Sequence, residues 1–106
     1  MNLEELTTFK NKYIEFLETE IKDFNDSYKL DMGYRKKEIH VITYDGYNYA
    51  NLDFFLNDLE KDKIYIKTVD KIYLYLIFRH INYLDLLDVL IKTEETKNEN
   101  KQRYNN

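Results

Sequence analysis

The 106-residue sequence contains no cysteine, no proline and no tryptophan, and it has only two glycines. Without cysteine the chain can form neither a disulfide framework nor a cysteine zinc site, and it has no thiolate nucleophile. With Gly33 and Gly46 as its only glycines it offers no phosphate-cradling loop, which argues against a nucleotide enzyme. Nothing in this composition marks an oxidising compartment, so we expect a cytoplasmic protein.

Long apolar stretches are also missing. The longest apolar run, Ile72 to Phe78, is far too short to span a bilayer, and the first residues lack the basic and apolar regions of a signal peptide. Hydrophobic residues make up 43% of the chain and charged residues 34%, which is typical of a globular domain. We expect one compact domain over residues 1–96, a polar and flexible tail over residues 97–106, and no membrane insertion.

Tyrosine, in contrast, is abundant, with eleven residues against six phenylalanines. Its ring is apolar and its tip is polar, so it suits the rim of a hydrophobic core and a protein-binding surface equally well. The sequence leaves both uses open.

The first part of the chain has the pattern of an amphipathic helix. Apolar residues recur at steps of mostly three and four from Leu3 to Tyr28, which predicts a helix from Asn2 to about Tyr28. Asn2 can cap this helix, and Glu5 lies three residues later, as in a capping box. The apolar stripe can pack on the chain's own sheet or pair with a second copy, so a homodimer is an open alternative.

A β-hairpin follows in the pattern. The segment Lys29 to Lys37 breaks the helical period and is predicted to be a loop. Glu38 to Tyr44 is rich in β-branched and aromatic residues, and Asp45 with Gly46 is a strong type I′ turn signal before Tyr47 to Tyr49. We therefore predict two antiparallel strands joined by this turn.

The second half of the chain is more ambiguous. Asn51 can cap a short helix from Leu52 to about Glu60. The alternation in Lys63 to Lys67 and the β-rich run Ile72 to Phe78 predict a second hairpin. The competing interpretation is one long helix from about Val69 to Lys92, because apolar residues there also recur at helical spacing.

A C-terminal helix is predicted to begin near Asn82, which can cap it. Together these elements predict an α+β fold in which a long N-terminal helix and a C-terminal helix pack on a small antiparallel sheet of about four strands, or two hairpins. The alternative is a mostly α fold with one β-hairpin.

The chemistry-bearing residues do not form a recognisable catalytic or metal-binding motif. His40 and His80 lack a metal-ligand spacing and are predicted to be surface or edge residues, and Ser27, the only serine, lies outside any nucleophile elbow. Asp85 and Asp88 are predicted to lie on the solvent-exposed face of the C-terminal helix. We therefore predict no catalytic residue, no cofactor and no metal site, and a protein that is not an enzyme.

Charge is distributed in segments. The chain has a net charge of minus four, with acidic segments on the predicted helices and basic ones on the predicted strands and the tail. Lys63 to Arg79 has a net charge of plus three, and His80 to Thr96 has a net charge of minus three. An acidic face with interleaved tyrosines suits a protein that binds a basic partner.

These features predict a small, acidic, non-enzymatic protein-binding inhibitor or immunity-type protein, directed at a basic nuclease or another nucleic-acid-binding effector. In size, acidity and lack of a catalytic motif the chain resembles, in general type, the small inhibitors that phages and mobile elements encode, including anti-CRISPR proteins. No motif matches residue by residue, so no site is carried over from them. The predicted partner-binding residues lie in the hairpin and in the acidic run that follows the short helix: Tyr44, Asp45, Tyr47, Tyr49, Asp58, Glu60 and Asp62.

The alternative function is a small homodimeric nucleic-acid-binding or regulatory protein. Its candidate contacts are the consecutive basic residues Arg35, Lys36 and Lys37. The overall negative charge opposes this alternative, since the long-range field of the chain repels a polyanion.

Overall fold

The computed structural model describes residues 1–36 and 38–104, apart from the side chains of Lys36 and of residues 100–104. This part of the chain forms three helices and one antiparallel sheet of three strands, which confirms the α+β class. The predicted fourth strand is not present among these residues. The elements are α1 (Leu3–Tyr28), β1 (Gly33–Lys36), β2 (His40–Tyr44), β3 (Tyr47–Tyr49), α2 (Leu52–Lys61) and α3 (Thr68–Tyr104).

Helix α1 begins and ends as its sequence dictates. The Asn2 side chain accepts a hydrogen bond from the Glu5 backbone N–H at 2.8 Å, and the Glu5 carboxylate accepts one from the Asn2 N–H, so the predicted capping box is formed. At the other end Lys29 adopts a left-handed conformation with φ of 56°, and its N–H donates to the Asn25 carbonyl. This left-handed residue stops the helix and turns the chain towards the sheet.

Strand β1 lies within Lys29 to Lys37, where the sequence predicts a loop, so that prediction is wrong for Gly33–Lys36. The Asn25 side chain holds both the N–H and the carbonyl of Met32, each at 2.8 Å, and this clamp brings the following residues alongside β2. Gly33 then pairs with Thr43, and a Cβ at Gly33 would lie only 2.6 Å from the Thr43 hydroxyl oxygen. Gly33, which contributed to the prediction of a loop, is thus the residue that allows this close strand pairing.

The hairpin of β2 and β3 confirms the prediction. Asp45 and Gly46 form its two-residue turn with φ of 49° and 79°, the positive values that a type I′ turn requires. The register places Tyr44 opposite Tyr47 and Ile42 opposite Tyr49. Because β2 is the middle strand, between β1 and β3, most of its side chains are buried.

The short helix α2 is also confirmed, with Asn51 accepting hydrogen bonds from two backbone N–H groups of its first turn. The second hairpin is wrong. Residues 64–67 form an irregular connection, and Thr68–Tyr104 is one helix, as in the competing interpretation of a helix from Val69 to Lys92. The residues of α3 that are buried recur at helical steps, at Leu74, Ile77, Phe78, Ile81, Leu84 and Leu87.

Helices α1 and α3 form an antiparallel pair that supports the sheet and α2. As residue numbers rise along α1, those of the contacted residues fall along α3, in the pairs Lys10 with Asp88, Tyr13 with His80, and Tyr28 with Asp70. Strand β2 packs on α3, and α2 packs on both α3 and β3. One core of aliphatic and aromatic side chains lies between these elements, with Leu17, Ile42, Phe55, Leu59 and Leu74 fully enclosed.

The C-terminal part of α3 continues past the core. The tail predicted to be flexible, residues 97–106, belongs to this helix as far as Tyr104, and its last two residues lie outside the described part of the chain. Its flexibility stays a prediction. Within the described residues, no helix combines the length and the apolarity needed to cross a membrane.

Candidate functional site

The hairpin tip and the end of α2 meet at one side of the molecule. The turn residue Asp45 is exposed, and Tyr47, the first residue of β3, is 66% exposed. Tyr44 and Tyr49 lie on the same face of the hairpin, since Tyr44 pairs with Tyr47 and Tyr49 follows Tyr47 by two residues, but they are only 8% and 7% exposed. Their rings pack edge-on against the enclosed ring of Phe55 in α2, which joins the hairpin to that helix.

The hydroxyls of these two buried tyrosines hold the carboxylates of α2. Tyr49 donates a hydrogen bond to Asp58 at 2.6 Å, and Tyr44 donates one to Asp62 at 3.2 Å. Asp58 and Asp62 are one helical turn apart, so both side chains lie on the same face of the helix end. Burial is the largest cause that raises the pKa of each tyrosine above its ordinary value, and the hydrogen bond to the carboxylate is the second. Both phenols are therefore neutral hydrogen-bond donors at neutral pH.

Between the hairpin and the helix end lies an open hollow of about 210 Å³. Three carboxylates and one lysine are among the side chains that line it: Asp45, Asp58, Asp62 and Lys61. Lys61 lies 3.7 Å from the Asp58 carboxylate, in a solvated pair that contributes little to stability. The hollow therefore has an excess of negative charge, and we define it with the adjoining ring of Tyr47 as the acidic hollow.

The structure brings most of the predicted partner-binding residues together here, but it gives them different roles. Tyr44 and Tyr49 are buried, so they position carboxylates and do not present their rings as anchors. Tyr47 alone of the three tyrosines presents its ring to solvent. Glu60 is exposed and does not line the hollow, because it lies about half a helical turn away from Asp58 and Asp62.

The basic residues of the alternative function lie elsewhere. Arg35 is exposed on β1, an edge strand of the sheet. It lines a separate hollow of about 360 Å³, where Glu38 is a second lining residue and offsets its charge. The side chain of Lys36 and the whole of Lys37, the other two predicted contacts, lie outside the described residues.

A buried polar cluster joins β2 to the helix pair, and sequence reasoning missed it. His40 is 2% exposed, which corrects the prediction of a surface or edge residue. Its Nε2 lies 2.7 Å from an oxygen of Asp88, and its backbone N–H donates to Asp85 at 3.1 Å. Asp85 and Asp88 are thus partly buried against β2, which corrects their prediction as a solvated face.

The roles of the two His40 nitrogens follow from their partners. A carboxylate can only accept, so Nε2 of His40 carries a hydrogen, and in the tautomer with its hydrogen on Nε2, Nδ1 accepts one from the Tyr34 hydroxyl. Burial and then the charges of Asp88, Asp85 and Glu18 raise the pKa of Tyr34 to about 12, which keeps this hydroxyl protonated. The other oxygen of Asp88 binds the Lys10 ammonium.

This cluster also contains the donor atoms of a metal site. His40, Asp85 and Asp88 each offer one atom, and these three atoms lie within 4.8 Å of one another. However, Asp88 is already bound by the Lys10 ammonium and by the His40 ring, and a metal ion would lie close to that ammonium. We therefore interpret the cluster as a structural network that pairs a buried lysine with a partly buried carboxylate.

Two signals in the sequence point weakly to this network. Lys10 follows Leu6 by four residues, on the apolar stripe of α1, and a lysine at such a position implies a buried counter-charge. Asp88 follows Leu84 by four residues, on the apolar stripe of the C-terminal helix. What the sequence lacks is any indication that these two positions meet.

Comparison with known proteins adds no assignment. The chain matches no protein-family model, no curated protein and no solved structure. The functional inference therefore depends on the geometry described above.

Proposed function

We propose that this protein is a small, acidic, non-enzymatic inhibitor that binds a basic nucleic-acid-handling protein through its acidic hollow. Inhibitors of this general type, encoded by phages and mobile elements, act on host defence proteins. In this proposal the partner inserts a lysine or arginine side chain between the carboxylates.

The observation that carries the proposal is the fixed arrangement of carboxylates beside one exposed aromatic ring. Asp58 and Asp62 are held by hydrogen bonds from Tyr49 and Tyr44, so little conformational entropy would be lost when they bind a cation. Tyr47 supplies an exposed ring at the edge of the same hollow, suited to a cation–π contact or to apolar packing. Paired acidic and aromatic groups of this kind are frequent anchors for basic partners.

The charge of the whole chain supports the same partner class. A net charge of minus four steers a basic protein towards the molecule and repels nucleic acid. Apart from Lys61, the polar side chains around the hollow are carboxylates and phenols, which can bind a cation by electrostatic attraction and hydrogen bonds without covalent chemistry.

The test uses affinity capture from the native host lysate, with the wild-type chain, Tyr47→Ala and Tyr65→Ala as baits. Tyr65 is the matched control, since it is 71% exposed but lies in the connection between α2 and α3, away from the acidic hollow. We expect wild type and Tyr65→Ala to retain the same basic protein. Tyr47→Ala should weaken that complex by more than about 1 kcal/mol in calorimetry.

A paired variant, Asp58→Asn with Asp62→Asn, tests the carboxylates directly. It keeps the side-chain shapes but removes two charges, so we expect slower association and a weaker dependence on salt. Equal binding by Tyr47→Ala, the paired variant and wild type would contradict the assignment of the hollow. A gel shift with DNA or RNA that is lost in Arg35→Glu would instead favour the nucleic-acid-binding alternative.

A further inference from the structure

Helix α3 carries a second apolar face, on the side that points to solvent. Its residues follow the four-three spacing of a coiled-coil seam, and every apolar one of them is between 42% and 61% exposed. We define the exposed seam as these six residues: Ile72, Leu76, Arg79, Tyr83, Leu86 and Leu90. Arg79 is the one charged residue among them.

The exposed seam lies opposite the side of α3 that forms the core. Leu74 and Ile81 occupy the innermost positions of the helix and are buried, and each is half a helical turn away from a seam residue. The helix is therefore apolar on two sides. The core explains one of these sides, and nothing within the described chain covers the other.

The apolar surface continues from the seam onto α1. The His80 ring is 6.3 Å from the ring of Tyr83 and 5.7 Å from that of Phe16, which is itself half exposed. Tyr73 and Val89 flank the seam and are also about half exposed or more. At about 200 Å² for a fully exposed large side chain, the five apolar seam residues and Phe16, each about half exposed, offer on the order of 600 Å² of surface, at the upper end for the largest patch of a typical monomer. Stable interfaces use about 800 Å² per partner.

We propose that the exposed seam binds a second copy of this chain, with the two α3 helices antiparallel. In the symmetric register centred near Ile81, Ile72 of one copy faces Leu90 of the other, and Leu76 faces Leu86. Each contact occurs twice, as a two-fold interface requires.

The central seam position selects the antiparallel direction. Within one chain Arg79 already lies over the Tyr83 ring, 5.9 Å from its centroid, and donates to its hydroxyl at 3.1 Å. In the antiparallel pair, Arg79 of each copy faces Tyr83 of the other, so the cation meets an aromatic ring. In a parallel pair Arg79 would face Arg79, and the like charges would repel.

The distribution of charge along α3 and the connection that precedes it also favours the antiparallel direction. Lys63 to Arg79 has a net charge of plus three, and His80 to Thr96 has a net charge of minus three. An antiparallel pair places the basic half of each copy opposite the acidic half of the other. Asp85 and Asp88 already bind His40 and Lys10 on the core side, so this complementarity acts through the summed charge and not through ion pairs of those two residues. A parallel pair would place like charges together along the full length.

This interface is separate from the proposed function, since no seam residue lines the acidic hollow. A dimer would thus present two acidic hollows to its partners. Each of the two proposals can be wrong while the other stands.

The first test is sedimentation equilibrium of the full chain from about 1 to about 100 µM. We expect the wild type to reach twice its monomer mass of 13.1 kDa. Leu86→Glu places a charge in the seam and should weaken association by at least about tenfold. Phe54→Glu is the matched control, because Phe54 is an exposed apolar residue on α2, outside the seam, and this variant should associate as wild type does.

The second test reads the register and does not depend on a destabilising substitution. The chain has no native cysteine, so Leu76→Cys and Leu86→Cys each introduce one unique thiol. On oxidation, an equal mixture of the two variants should form a disulfide only between unlike chains, which intact mass spectrometry identifies. Disulfides between two Leu76→Cys chains would show parallel helices and overturn the proposal. A wild-type monomer across the concentration range, or equal weakening by Phe54→Glu, would overturn it as well.

Discussion

Several tyrosines of this chain share one arrangement, in which the ring packs in or beside the core and the hydroxyl binds a carboxylate or an imidazole. The pairs are Tyr13 with His80, Tyr28 with Asp70, Tyr34 with His40, Tyr44 with Asp62, and Tyr49 with Asp58. Each pair joins two different elements of the fold, and the hydrogen bond satisfies the polar tip where the ring is buried. Tyrosine at these sites is thus a residue of the core rim.

Because the pKa of Tyr34 is raised on folding, the stability of the fold decreases with pH in the alkaline range. Folding raises this pKa from 10.0 to about 12, so the unfolded chain loses the proton first. The stabilisation is therefore complete below pH 10 and declines as the pH rises towards 12. We expect Tyr34→Phe to reduce this decline in urea unfolding curves recorded between pH 9 and pH 12.

Other buried tyrosines contribute to the same decline, so it should be reduced in Tyr34→Phe and not abolished. Tyr47→Phe, at an exposed ring, is the control and should follow the wild type. If Tyr34→Phe loses stability with pH as steeply as the wild type, then burial and the nearby carboxylates do not raise the pKa of Tyr34 on folding.

At the scale of elements, the N-terminal helix, the first hairpin and α2 could be predicted because their signals are local. Asn2 with Glu5, Asp45 with Gly46, and Asn51 each act within a few residues along the chain. Strand β1 and helix α3 could not be predicted with the same methods, since each is decided by contacts with distant residues. The Tyr28 hydroxyl, for example, accepts from the Lys67 N–H and donates to Asp70, which fixes the start of α3.

The run Ile72 to Phe78 shows why the wrong element was preferred. A helix that buries one face has no need of apolar residues on its other side, so seven apolar residues in a row favour a strand. In the structure the run is helical, and its apolar residues divide between two sides of the helix. Leu74, Ile77 and Phe78 face the core, whereas Ile72 and Leu76 belong to the exposed seam. The residues that misled the prediction are the ones that the proposed dimer would bury.

The pairing of β1 with β2 depends on the missing side chain of Gly33. We expect Gly33→Ala to destabilise the fold by about 1 to 3 kcal/mol, because its Cβ would lie 2.6 Å from the Thr43 hydroxyl oxygen. Thr43→Ala removes that oxygen, so the double variant should lose less stability than the sum of the two single variants. Urea unfolding of all four chains measures this difference, and strict additivity would show that the close contact is not the cause.

At the scale of the whole molecule, one polar cluster connects elements from both ends of the chain. Lys10 of α1, His40 of β2 and Asp88 of α3 meet through direct hydrogen bonds. The molecule measures 62 × 20 × 19 Å, and this cluster is the polar link between its helix pair and its sheet. Its groups satisfy one another, so removal of one member takes a hydrogen-bond partner from those that remain.

We therefore expect Asp88→Asn to destabilise the fold by about 2 kcal/mol in urea unfolding, since the Lys10 ammonium would lose its counter-charge. Lys10→Met in the same chain should recover part of that loss, because the buried cation is then absent. Glu95→Gln, at an exposed position on the continuation of α3, is a control and should change stability by less than about 0.5 kcal/mol. Equal losses in Asp88→Asn and in the double variant would contradict the pairing.

The candidate site divides in the same way between local and distant information. Sequence reasoning identified Tyr47, Asp45, Asp58 and Asp62, since the turn signal and the acidic run stand out along the chain. It could not separate exposed Tyr47 from buried Tyr44 and Tyr49, because alternation places all three on one face of the hairpin and only the packing of α2 decides that Phe55 covers Tyr44 and Tyr49. It also could not connect His40 to Asp88, which lie 48 residues apart.

The sequence by itself determined the α+β class, the N-terminal caps of α1 and α2, the type I′ turn and the segmented charge, because each of these depends on neighbouring residues or on composition. The cap predicted at Asn82 is wrong, since this residue lies inside α3. Tertiary structure alone decided that Gly33–Lys36 pairs as a strand, that α3 is one helix, and which tyrosines are buried. It also decided that α3 is apolar on a side that the core does not use. The physical reason is that burial and strand pairing depend on which distant surfaces meet, and local patterns do not contain that information.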